Sequence, residues 1–459
     1  MNLTSINPSD GSTVWSGPVA GPDDVRDAID ASRKAFPAWR DLSMEERAGI
    51  LRRFARIVRE RSSELAHLIA REIGKPIREA ETEVKAVTGK VEISIRAQSE
   101  RCREFTGGTA VTRFRPHGVL AVMGPYNFPA HLPNGHICPA LLAGNTVIFK
   151  PSELSPATGS CLVDCWNEAG LPEGILQVLQ GGPETAIALT REQGIDGVLF
   201  TGSAATGKRL ARLFADSPGK ILALEMGGNN PLIIDTPHLE SLQTAVETSL
   251  ASAFISTGQR CTCARRLIVI DSTRSGKFLA DLVEGATSLR IDEPFGDPEP
   301  FMGPLASPLF PSRVIDRQLT LIKACAHPLL EARALREGTG FISPGILDVT
   351  GVVDLPDEEI FGPLLQVIRV PDLEAAIEAA NRTRFGLAAG ILTERKERYD
   401  LAYRSLKAGI INWNSQLTGA SSAAPFGGIG DSGNLRPSAY FAADYCSYPV
   451  ASIERPQLD

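Results

Sequence analysis

The chain has 459 residues, 43% of them hydrophobic and 22% charged, so it can bury large cores but is too long for one compact domain. Its formal net charge of -7, with acidic and basic residues intermixed, excludes a polycationic face for nucleic acid or a basic arm for anionic lipid. The N-terminus lacks a secretory h-region and no apolar run is long enough to cross a bilayer, which predicts a cytoplasmic protein with a small-molecule partner.

Helical periodicity runs from Asp23 to about Arg101. Ser43 and Glu46 have capping-box spacing, and Ile50, Leu51, Phe54, Ile57 and Val58 form one apolar stripe behind them. A further stripe of Leu65, Leu68, Ile69 and Ile73 stops at Gly74 and Pro76, as a helix C-terminus does. After Arg115 come short apolar runs at 118–123, 146–149, 176–179, 197–201 and 221–224, separated by helix-length segments. Apolar strands alternating with helices predict a parallel sheet covered on both faces. A second such series begins near Pro231, takes in 267–270, passes a Pro-rich connector at 294–311, and ends in a strand at 364–370 and a helix at 373–381. From Ala423 onwards the chain is Gly- and aromatic-rich with little helical period, which predicts a loop and then a strand that pairs elsewhere. There is no internal repeat.

Ligands of such sheets bind beyond the carboxyl ends of the strands, where the unusual residues cluster. Gly202-Ser203-Ala204-Ala205-Thr206-Gly207-Lys208 resembles a P-loop until Arg209, where a magnesium-binding Ser or Thr is required. A glycine turn opening a helix still aims backbone N–H groups at an anion such as a dinucleotide pyrophosphate; a plain tight turn explains the segment equally well. No GxGxxG follows any strand. Lys150 and Glu153 stand at another strand end, where an acidic group accepts bonds from ribose hydroxyls and repels a 2′-phosphate, favouring NAD over NADP; the alternative is a solvated turn.

The 8 cysteines lack paired zinc-type spacing, so reduced thiols and no metal site are expected. Cys261, in Gly258-Gln259-Arg260-Cys261-Thr262-Cys263, is worth calling a nucleophile only if something stabilises its thiolate and something later receives a proton. Glu225, before Gly227-Gly228, is the candidate for the second task. Taken singly, each has a blander reading as packing cysteine and turn glutamate. Cys263, two residues on, is expected to point away and to have no essential role.

Together the segments resemble the aldehyde dehydrogenase superfamily over nearly the whole chain. The matching elements are Tyr126-Asn127-Phe128-Pro129, Lys150-Pro151-Ser152-Glu153, Phe200-Thr201-Gly202-Ser203, Leu224-Glu225-Met226-Gly227-Gly228, Gly258 to Cys261 and Glu359 to Pro363, in the family's order. Stretches 124–137, 224–234, 258–266 and 412–445 are most similar to the N-succinylglutamate 5-semialdehyde dehydrogenases of bacterial arginine catabolism.

The resemblance implies an α/β fold with two doubly wound parallel-sheet domains, for NAD binding (1–97 and 118–226) and catalysis (227–430). A small β oligomerisation element (98–117 and 431–459) would join a homodimer or a dimer of dimers. It implies Cys261 as nucleophile, Glu225 as base toward water, and Asn127 as oxyanion donor. NAD would lie along Pro125, Tyr126, Lys150, Ser152, Glu153, Gly182, Phe200, Gly202, Ser203, Thr206, Gly207, Glu359 and Phe361. A carboxylate-bearing semialdehyde wants cationic or amide donors at the pocket mouth, and Arg101, His131, Arg265 and Arg436 are the candidates. The N-terminus is short for the family and is expected to lack the usual initial strand pair. The alternative substrate is another small semialdehyde, and three rivals come from other classes: a P-loop nucleotidase resting on 202–208, a cysteine hydrolase or acyltransferase pairing Cys261 with His131 or His136, and a non-catalytic relative acting as a structural or binding protein.

Overall fold

The computed structural model describes residues 2–455 and 457. Met1, Pro456, Leu458 and Asp459, the last three within the expected oligomerisation segment, lie outside the described residues. The chain opens with an antiparallel pair, β1 (Asn2–Ile6) and β2 (Thr13–Pro18). The short N-terminus thus carries a strand pair of its own, with Asn7-Pro8 in its turn. The intervening turn is closed locally: Asn7 O accepts from Gly11 N at 2.8 Å and the Asp10 carboxylate from Ser12 N at 2.8 Å, with Gly11 at φ +76°. Such short, mostly polar strands carry no apolar run to announce them. Ser5 fixes the pair by donating to the buried Glu72 at 2.6 Å.

Four helices follow, α1 (Pro22–Asp41), α2 (Met44–Glu60), α3 (Ser62–Ile73) and α4 (Ile77–Arg101). The Ser43–Glu46 capping box forms, and Gly74 ends α3 in the left-handed conformation. α4 persists to Arg101, so residues 98–101 belong to this helix and the expected β element begins later. It starts at β3 (Phe105–Gly107) and β4 (Ala110–Pro116).

The first parallel sheet is built from β5 (Val119–Met123), α5 (His131–Ala143), β6 (Thr146–Lys150), α6 (Pro156–Glu168), β7 (Leu176–Val178), α7 (Pro183–Arg191), β8 (Gly197–Gly202), α8 (Ala204–Leu213) and β9 (Ile221–Met226). Its order, β7-β6-β5-β8-β9, reverses direction between β5 and β8. That switch point opens the crevice in which doubly wound sheets hold ligands.

The second sheet comprises β10 (Asn230–Ile234), α9 (Leu242–Phe254), β11 (Ala264–Ile270), α10 (Ser275–Thr287), α11 (Phe310–Lys323), β12 (His327–Leu330), β13 (Gly345–Asp348), β14 (Leu364–Val370), α12 (Leu373–Asn381), β15 (Ala388–Leu392), α13 (Lys396–Ser405) and β16 (Ile410–Trp413). The order is β12-β13-β14-β11-β10-β15-β16, parallel except for the edge pair β12–β13. Each sheet has buried apolar clusters, because strands covered on both faces are apolar throughout.

The tail forms a two-stranded pair, β17 (Pro425–Phe426) with β18 (Ser438–Ala439), then α14 (Ala442–Tyr445) and β19 (Ser447–Ile453). β19 pairs antiparallel with β4 in a three-stranded sheet, as the loop-then-strand reading expected. The short α14 was not foreseen; Ala442, Tyr445 and Cys446 tuck it into the core of the first sheet. Among the described residues no helix is long and apolar enough to cross a membrane.

Candidate active site

Cys261 follows a turn that most sequences avoid. Ser256, Thr257 and Gly258 have φ values of +52°, +54° and +70°, a conformation costly for L-residues and tolerated only where surroundings over-determine it. The surroundings do so here. Glu79 on α4 accepts from Ser256 Oγ and from Arg260 Nη2, the latter at 2.8 Å, while Arg260 Nε donates to Ser256 Oγ at 2.8 Å. Thr257 donates to Gly303 O at 2.7 Å, and Ala306 N to the Gln259 side chain at 3.1 Å. Beyond this turn, Asn230 Nδ2 donates to the carbonyls of Cys261 and Cys263 at 2.7 and 2.9 Å.

Cys261 and Glu225 line one cavity of about 270 Å³, with Phe128, His131, Lys90, Arg260 and the 419–422 loop. The Cys261 side chain is half-buried. Burial pushes its thiol up to about 12, with the nearby Glu359 and Glu225 charges adding to the shift and Arg265 opposing it. Cys263 is buried, donates weakly toward Ile255 O and is absent from the cavity wall.

Glu225 sits at the end of β9, where Oε1 accepts from Ser438 N at 3.1 Å and the buried Oε2 has no partner. Its carboxyl is raised well above the usual range, chiefly by burial. An orphaned oxygen on such a group is a built-in acceptor for a water or hydroxyl proton. Asn127 is buried and gives one amide hydrogen to Gln259 O at 2.9 Å, tying its loop to the nucleophile's; its second amide hydrogen stays available. The Cys261 N–H meets no acceptor among the described residues.

The two histidines do not support a cysteine–histidine hydrolase. Burial holds His131 down to about 4 and His136 down to about 3. His136 is moreover spent between Tyr445 Oη at 2.8 Å and Thr201 Oγ1 at 3.0 Å. Lys208 pairs with Asp431, so it is no free phosphate ligand of a nucleotidase loop.

The expected dinucleotide residues fall along the first sheet's carboxyl edge. Ser203 caps α8 by accepting from Thr206 N at 3.3 Å, leaving the first turn's N–H groups open at the switch point. A Cβ at Gly207 would stand 2.2 Å from Met226 Sδ, so glycine lets this helix pack onto β9 without displacing that side chain. Gly182 is the N-cap of α7. Lys150 is buried, donating to Pro151 O at 2.8 Å, and Ser152 accepts from Leu154 N at 3.2 Å; Glu153 stays exposed, 3.9 Å from the Lys150 ammonium.

Glu359 lies against Gly227, where a Cβ would come 1.7 Å from its carboxylate, and accepts from Gly228 N at 3.2 Å. With Tyr126 and Phe361, whose rings meet edge to face at 6.0 Å, it borders a second cleft of about 430 Å³. An open helix end, a strand edge with a carboxylate, and an aromatic cleft with a further carboxylate fit a dinucleotide.

The family model of the aldehyde dehydrogenase family matches residues 1–448. The chain belongs to that family. It is 52% identical over 456 residues to an N-succinylglutamate 5-semialdehyde dehydrogenase of Chromobacterium violaceum, covering 98% of this chain and 93% of that one. Among solved structures it resembles a 1-pyrroline-5-carboxylate dehydrogenase from Thermus with bound NAD, with a TM-score of 0.93, 28% identity and coverage of 99% and 90%. It also resembles a glyceraldehyde-3-phosphate dehydrogenase from Methanocaldococcus jannaschii complexed with NADP, with a TM-score of 0.91, 26% identity and coverage of 98% and 99%. The protein is thus an aldehyde-oxidising oxidoreductase of an NAD(P)-dependent family.

Within this dehydrogenase the expected substrate-binding residues disperse. His131 lines the cavity. Arg101 lies outside it, paired with Asp444 and stacked 3.5 Å over Phe441. Arg265 is buried beneath the nucleophile's loop, donating to Arg260 O at 3.0 Å and Gly362 O at 3.2 Å. Arg436 is exposed and lines no part of this cavity. Sequence reasoning missed Glu79, Lys90, Arg260, Asn230 and Ser438. A signal for the first two existed: charges at 79, 83 and 90 recur at helical spacing beside the buried stripe Ala80, Val84, Val87 and Val91.

Proposed function

We propose that this dehydrogenase oxidises N-succinylglutamate 5-semialdehyde to N-succinylglutamate with NAD, the substrate named for its C. violaceum relative. The observation that carries the chemistry is the shared cavity of Cys261 and the unpartnered Glu225 oxygen. The exposed Glu153 carboxylate at the end of β6 supports NAD, since a 2′-phosphate there would meet like charge. We read the five-stranded unit as coenzyme-binding, the seven-stranded unit as catalytic, and the β3–β4–β19 sheet as the contact between copies.

The Cys261 thiol gives its proton to the unpartnered Glu225 oxygen, which releases it to solvent; Sγ then bonds to the aldehyde carbon, and the resulting oxyanion is received by the Cys261 N–H and the free Asn127 amide hydrogen. NAD, when bound, supplies the acceptor for the hydride that leaves as the thiohemiacetal becomes a thioester. Lys150, Glu153 and Glu359 would hold its riboses, and the N-terminus of α8 its pyrophosphate. Glu225 then takes a proton from water, whose oxygen attacks the thioester carbon and frees the acid and the Cys261 sulfur.

The test is NADH production across semialdehydes differing in chain length and in the N-succinyl group. Cys261→Ala should abolish both NADH and the acyl-enzyme, whereas Glu225→Gln should keep a single burst of NADH and lose turnover. A fully active Cys261→Ala enzyme would sink the assignment.

A further inference from the structure

The cavity beside Cys261 contains one ammonium that no carboxylate pairs among the described residues. Of the three carboxylates in its wall, Glu79 is paired with Arg260 at 2.8 Å, Glu83 with Lys75 at 2.5 Å, and Glu225, which accepts from Ser438 N at 3.1 Å, is in no ion pair among the described residues. Lys90 on α4, only 1% exposed, has no carboxylate within 4.0 Å among the described residues. Its ammonium makes one hydrogen bond, to Ala439 O at 2.7 Å, and its other two N–H groups have no acceptor among the described residues. The remaining groups beside it are the neutral His131 and His136 of α5 and the thiols of Cys138 and Cys446, none of which supplies a compensating charge.

A buried ammonium without a counter-ion is costly, and burial accordingly brings Lys90 down to about 8; an anionic ligand would supply the missing partner. We propose that Lys90 forms an anion subsite of the Cys261 cavity, receiving a carboxylate of the substrate remote from its aldehyde group. This rests on the reading of a semialdehyde carrying carboxylates. It differs from all four residues that sequence reasoning nominated, since only Lys90 combines burial, position in the cavity wall and an unpaired positive charge.

A structural role is the competing account. Ala439 stands at φ +59°, and its neighbour Ser438 donates to Glu225, so on that account Lys90 serves only to hold this segment under the base. The two roles separate kinetically. In Lys90→Met, the ratio of KM for N-succinylglutamate semialdehyde to KM for hexanal should rise about 10- to 100-fold, the size of a lost charge-assisted hydrogen bond. An unaltered ratio, or an equal fall of kcat on both aldehydes with KM kept, would overturn the proposal.

Glutarate tests the subsite independently of the assigned substrate. It should inhibit hexanal oxidation competitively in the wild type, and at least about tenfold more weakly in Lys90→Met. Equal inhibition constants would overturn the subsite; a wild type that ignores N-succinylglutamate semialdehyde but shows this glutarate difference would overturn only the choice of aldehyde. Lys90→Gln repeats both measurements with a polar side chain, should the methionine variant not fold.

Discussion

Alanine at Gly258 would place a methyl carbon 2.3 Å from Gly362 O, 2.5 Å from Gly362 C and 2.9 Å from Pro363 N. All three are backbone atoms, so the collision is relieved only by driving the 256–260 turn away from the 359–363 segment. Holding an L-residue at φ +70° costs about 1–2 kcal/mol, and overpacking adds about 1–3 kcal/mol. The sum of about 2–5 kcal/mol corresponds, for 459 residues, to a fall in Tm of about 2–5 °C. The chemistry should suffer more, because Cys261 is three residues downstream and a misplacement of about 1 Å at a reacting group costs about 100-fold in rate. Glu359 and Phe361, on the other side of the collision, would move as well. The assay is kcat/KM from reduced-coenzyme absorbance, with thermal unfolding on the same sample. A Gly258→Ala enzyme with wild-type kcat/KM and Tm would refute the claim that this contact sets the nucleophile's position.

Glu79→Gln removes the carboxylate that binds Arg260 and Ser256 and leaves a half-buried guanidinium uncompensated. Breaking such a pair costs about 3–5 kcal/mol, so Tm should drop by about 3–5 °C and kcat at least tenfold; unchanged kinetics would show that the turn holds without it. Burial lifts Glu359 to about 7 against the opposing pull of Arg265 and the Gly228 N–H. If its ionised form binds a ribose, Kd for NAD should rise toward tenfold per pH unit below about 7, and titration calorimetry on Glu359→Gln should find that slope gone.

Burial also raises Glu225 above its ordinary 4.5. The folded state then binds more protons than the unfolded one above that value, so this group's contribution to stability is greatest at low pH and declines as pH rises. Glu225→Gln should therefore melt higher than wild type at pH 8, with the gain shrinking toward pH 4; parallel melting curves against pH would contradict the assignment.

Much of this molecule was legible in its sequence because the signals are local. The strand runs at 146–149 and 197–201 became β6 and β8, and the predicted β14 and α12 have the observed limits. Apolar continuity and helical period depend on neighbours within a few residues. The pairing of Cys261 with Glu225 was legible for another reason: their neighbouring Gly-Gln-x-Cys and Glu-x-Gly-Gly elements are specific in combination. The β1–β2 pair was not foreseen, because its stability lies in a polar turn and in Ser5 bonding Glu72, 67 positions away.

What the sequence alone determined, then, is the two sheets, the turns at their carboxyl edges and the placing together of Cys261 and Glu225. The tertiary structure decided which charges surround that pair. Glu79 reaches Ser256 across 177 positions, Ser438 reaches Glu225 across 213, and Lys90 reaches Ala439 across 349. A charge on a helix looks the same in sequence whether it faces water or a cavity. Only packing removes the solvent and the counter-ion, and that left Lys90 buried without a carboxylate partner among the described residues while Arg101, Arg265 and Arg436 were paired, enclosed or turned to solvent elsewhere.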